Sequence, residues 1–105
     1  MKGFALAVVV AAACAAYVPA ASAKEALAKT AGCTACHTVD KKLVGPTFKE
    51  VAAKYKKDPA APARLQDHVR KGSVGIWGKI PMTPTDATKI KDADLKALIA
   101  WILKL

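Results

Sequence analysis

Cys33-Thr34-Ala35-Cys36-His37 is the stretch of this chain best equipped for chemistry. Two thiols at this spacing fit on a single helical turn. They can add across the two vinyl groups on one edge of a porphyrin, and the histidine that follows is then held beneath the iron as an imidazole ligand. C-x-x-C-H therefore reads as a site of covalent c-type haem attachment through Cys33 and Cys36, with His37 on the metal. Three other chemistries use a cysteine pair. A structural disulfide has no need of the histidine. A thioredoxin-like motif sits beside a βαβ pattern, and no strand pattern is visible here. A zinc site wants about four ligands, whereas the chain beyond its leader offers only Cys33, Cys36, His37 and the distant His68.

A haem iron bound on both faces needs a second ligand, and Met82 is the only methionine besides Met1. It stands in Ile80-Pro81-Met82-Thr83-Pro84, where two prolines fix the backbone. Such a segment presents a thioether with little reorganisation, whereas a gap-filling methionine is normally flexible and interior. His68 is the rival ligand, but it lies among Asp67, Arg70 and Lys71 with no proline to stiffen it.

Helices must position these residues, because period-two alternation is almost absent. Lys24–Ala31 reads as a helix ending at Gly32. Thr47 with Glu50 three places on forms a capping box that opens a helix whose inner face is Phe48, Val51, Ala52 and Tyr55. Pro62–Lys71 reads as a third helix, closed by Gly72, and a fourth begins near Asp92 with Leu95, Leu98, Ile99, Ile102 and Leu105 in one apolar stripe. Between them Gly72–Thr88 is a long irregular segment, of the kind that usually carries function. The expected class is all-α.

The chain has 105 residues, enough for one domain. Residues 1–23 read as a secretory signal peptide: Lys2, an apolar run from Phe4 to Val18, then Ala21-Ser22-Ala23 as a cleavage site. That run is shorter than the roughly 20 residues a spanning helix needs. Cys14 is discarded with the leader, and residues 24–105 form the domain. Its seventeen basic residues less Lys2, against eight acidic, give +8. Thirteen of its residues are alanine, and so small a core calls for a staple. Haem supplies one, with the small side chains expected to leave it room. Export and the lack of any nucleic-acid motif argue against a phosphate-binding role for the charge. No Ser/His/Asp set and no phosphate loop is visible. An enzyme with an open iron position remains the competing class.

Taken together, Ala31–His37, Val44-Gly45-Pro46, Lys71-Gly72-Ser73, Gly75-Ile76-Trp77-Gly78, Ile80–Pro84 and the terminal helix through Trp101 resemble the short bacterial class I cytochromes c over nearly all of 24–105. The resemblance implies four short helices wrapped around one covalently attached haem, with His37 and Met82 as axial ligands. It implies that the Pro46 carbonyl accepts the proximal imidazole proton and that the Trp77 indole reaches a haem propionate. His68 stands where relatives often have an arginine near that propionate. A histidine there is expected to make the reduction potential fall as pH rises. The implied role is a soluble, monomeric periplasmic electron carrier. Its implied partners are redox proteins with acidic docking surfaces, such as a cytochrome bc complex, nitrite reductase, terminal oxidase or reaction centre. Lys49, Lys71 and Lys79 would ring the haem edge and steer them.

Overall fold

The computed structural model describes Gly3, residues 7–10, Ala12 and residues 19–105. Much of the expected leader, Cys14 included, lies outside the described residues. Four helices follow in order: α1 (Ala20–Thr30), α2 (Phe48–Tyr55), α3 (Ala61–Lys71) and α4 (Asp92–Ile102). Among the described residues there is no strand; one antiparallel bridge joins Ser73 to Met82. No helix among them is long and apolar enough to cross a membrane.

Each helix has a local cause. α1 starts four residues before the expected Lys24 because Ala20, Ala21 and Ala23, the strongest helix formers, continue the pattern upstream. It ends as expected: Gly32 takes φ 86°, which its missing Cβ permits. Thr47 caps α2 by accepting the Glu50 amide on Oγ1 at 3.0 Å, and Phe48, Ala52 and Tyr55 are buried behind it. In α3, Pro62 sits in the first turn, where its missing N–H costs nothing. α4 carries Asp92 and Asp94 in its first turn, where carboxylates complement the helix dipole.

α4 is the hub. Leu95, Leu98, Ile99 and Ile102 are buried and join Ala28 and Ala31 at the end of α1, Phe48 of α2 and Ile90 in one core. The apolar stripe stops sooner than its periodicity suggests. The helix ends at Ile102, and Leu105 is 40% exposed.

Candidate cofactor cavity

Beyond Gly32 the chain tightens into one 3₁₀ turn, Cys33–Ala35. The Cys33 carbonyl accepts the amides of both Cys36 (3.2 Å) and His37 (2.9 Å), so one turn gathers all three chemical residues. Cys33 is half-buried and Cys36 exposed. Burial pushes the Cys33 thiol above its ordinary pKa, a backbone hydrogen bond offsetting part of the effect.

The His37 ring is held on several sides. Its Nδ1–H donates to the Pro46 carbonyl at 2.7 Å, which leaves Nε2 as the bare, basic nitrogen. Gly45 lies against the ring so closely that a Cβ there would be 2.6 Å from Cε1 and 2.9 Å from Nδ1. Phe48 stacks on the ring at 5.6 Å between centroids and 21° between planes, and Trp101 meets Phe48 edge-on at 6.2 Å. The Cys36 carbonyl in turn accepts the Gly45 amide at 2.8 Å, closing the loop beneath the imidazole.

Another part of the lining is built by the segment after α3. Ser73 and Met82 exchange both backbone hydrogen bonds, at 3.1 and 2.8 Å, and pinch off residues 74–81 as a strap. Gly72 does double duty. It ends α3 at φ 76°, and a Cβ there would stand 2.5 Å from the Met82 carbonyl oxygen. Only glycine lets the two limbs come this close.

Between these walls lies a cavity of about 470 Å³, inside the roughly 300–1,000 Å³ range of small-molecule and cofactor sites. Cys33, Cys36, His37, Pro46, His68, Trp77 and Met82 all line it. Leu65, Val69, Leu95, Leu98, Ile99 and Ile102 give it an apolar wall. Lys42, Lys79 and His68 reach it against Glu50 as the one acid, so its polar side favours carboxylates. The residues fit haem: thiols on one turn, a bare imidazole nitrogen, a methionine in the same lining, apolar sides and basic groups for two propionates. Among the described residues no cluster of three or more His, Cys, Asp or Glu offers the alternative of a metal ion held by side chains alone.

Some expectations shift. No alanine lines the cavity; the buried alanines Ala28, Ala31, Ala52 and Ala61 sit within the packed helices, and large aliphatic residues shape the haem-sized space. Lys79 borders the cavity, whereas Lys49 and Lys71 do not, and Lys71 instead faces Asp67 at 3.8 Å. Trp77 is 42% exposed, with the Lys54 ammonium 5.0 Å from its ring centroid in a cation–π contact.

The Cytochrome c family profile matches residues 21–105. The chain belongs to the cytochrome c family. It is similar to cytochrome c2 of Rubrivivax gelatinosus, 56% identical over 78 residues that cover 74% of this chain and 92% of the relative. It is also similar to cytochrome c-551 of Allochromatium vinosum, 49% identical over 87 residues, 83% of this chain and 90% of that one. The crystal structure of wild-type Nitrosomonas europaea cytochrome c552 superposes with a TM-score of 0.70 at 47% identity, over 77% of this chain and 98% of that one. This cytochrome is thus of the small bacterial class I kind, an electron carrier with one covalently attached c-type haem.

Sequence reasoning passed over two parts of this cytochrome's site. Arg70 was read only as a charged neighbour of His68, and the contact between Gly72 and the Met82 carbonyl left no trace in spacing. Glycine at a helix end has an ordinary explanation, which hides the second one.

Proposed function

We propose that this cytochrome is a periplasmic shuttle for single electrons, with Cys33 and Cys36 forming the thioethers and His37 Nε2 and the Met82 sulfur as axial ligands. The observation that carries the reading is one cavity lined both by an imidazole fixed on the Pro46 carbonyl and by a methionine whose backbone is braced against Ser73. When bound, the haem supplies a one-electron couple. The chain's residues exclude water, hold the imidazole through Pro46 and favour the reduced state through methionine. A haem held by both His37 and Met82 would have no open position for substrate, so the proposed role is that of a carrier. A visible spectrum tests this: a low-spin iron with a weak sulfur–iron band at the red edge supports it, and a high-spin spectrum overturns it in favour of an open catalytic iron.

Cleavage after Ala23 belongs to the same proposal. Residues 20–23 are all exposed, and the buried part of α1 begins further on, around Leu27 and Ala28. Removing residues 20–23 therefore takes nothing from the buried core.

Trp77 and His68 are proposed to meet the propionates, since both line the cavity. Voltammetry at one fixed pH is expected to give different reduction potentials for the wild type and His68→Ala; identical potentials would end the idea for His68.

Lys42 and Lys79 at the cavity, with Lys54 over Trp77, make the exposed rim basic. Acidic redox proteins are the partners such a rim steers. Their association with this cytochrome is expected to slow about tenfold or more from low to high ionic strength; salt-independent stopped-flow rates would count against them.

A further inference from the structure

α3 contributes more than an apolar wall. Arg70, in its last turn, sends its guanidinium across to the limb that descends from Met82 to α4. Nη1 donates to the Thr85 carbonyl at 3.2 Å, and Nη2 donates to the Ile90 carbonyl at 2.8 Å and to Asp92 Oδ1 at 2.6 Å. Beside it, the Thr85 amide donates to the Val69 carbonyl at 2.7 Å. The limb after Met82 is therefore fastened to α3 at Thr85, three residues from Met82, and again at Ile90. On the other side Met82 is fastened by its bridge to Ser73.

The charges differ in their exposure. The Arg70 side chain is 21% exposed and that of Asp92 88%. An ion pair with one partner so wet contributes little. Hydrogen bonds from a shielded cation to two carbonyls contribute more. The planar fork reaches the two carbonyls through separate nitrogens in a fixed geometry, whereas a lysine ammonium offers its donors from a single point.

We propose that Arg70 is a positioning residue for Met82: it tethers the descending limb to α3 and so governs how often the thioether leaves the iron. The inference rests on the ligation reading above. A ligand that competes with Met82 senses the fraction of molecules in which the methionine has swung away, and imidazole added to the ferric holoprotein is such a probe.

Arg70→Met, which keeps bulk and removes the donors, is expected to bind imidazole at least about tenfold more tightly than wild type, equivalent to 1.4 kcal/mol. Asp92→Asn is expected to stay within twofold of wild type. Amide hydrogen exchange in Arg70→Met should quicken at Met82 and Thr85 while Leu98 and Ile99 of α4 keep their protection. Unchanged imidazole affinity overturns the tether, as does exchange that rises evenly along the chain, which marks general destabilisation. A wild-type protein without the sulfur–iron band removes the ligation reading itself; a wild type with the band beside an unaltered Arg70→Met removes the tether alone.

Discussion

Cys33→Ser/Cys36→Ser is expected to have bare polypeptide mass, to carry no haem through denaturation, and to lose most of its cooperative folding. Magnitudes give the reason. The core centres on eight buried residues, half of them from α4, and beside it lies an apolar-walled cavity of about 470 Å³. Empty apolar volume costs about 24 cal/mol per Å³. Even a fraction of this volume left unfilled removes several kcal/mol, comparable with the 5–15 kcal/mol that holds a whole small domain together. Covalent attachment keeps the filler in place when the chain breathes. Either single serine variant leaves one thioether and is expected to retain haem at lower yield. Mass spectrometry of the denatured protein and the circular dichroism melt check this. A double variant with haem-bearing mass, or with the wild type's melting midpoint, would refute it.

The same arithmetic explains which parts of the fold were legible. The apolar spacing in α4 and the threonine cap of α2 are local signals, and both helices form where those signals put them. The start of α1 is not legible, because the alanine-rich leader and the helix share one composition and nothing marks a boundary at Lys24. Leu105 continued the stripe on paper but lies past the last helical turn. The candidate site was legible as residue types, since C-x-x-C-H and a proline-flanked methionine announce their chemistry in order. Its scaffolding was not. That Gly72 must admit the Met82 carbonyl, or that one guanidinium gathers carbonyls 15 and 20 residues away, follows from how the strap folds back and leaves no period to read. The alanines misled in a subtler way. They mark where the helices pack, whereas the cofactor's space is shaped by Leu, Ile and Val side chains that a sequence reading assigns to an ordinary core.

The second large effect falls on Met82. Met82→Ala is expected to lose the sulfur–iron band, turn high-spin, and drop in reduction potential by on the order of 0.1 V or more, within the roughly 0.8 V span that axial ligands control. A thioether is a neutral, soft donor that suits ferrous iron, so its loss stabilises the ferric form. Collapse of the strap cannot easily refill the position. The main-chain bridge to Ser73 and the close approach at Gly72 hold residue 82 by its backbone whatever its side chain, and Pro81 and Pro84 limit the rearrangement of its neighbours. The vacated position therefore opens to water, and small exogenous ligands should bind there that the wild type resists. Met82→His separates the two consequences: it restores a low-spin iron yet keeps the potential low, because an imidazole fills the position without favouring the ferrous state. Paired voltammetry and visible spectra of the three proteins decide the matter. If Met82→Ala kept both the band and the wild-type potential, Met82 would not be at the iron, and the braced wall of the cavity would need another purpose.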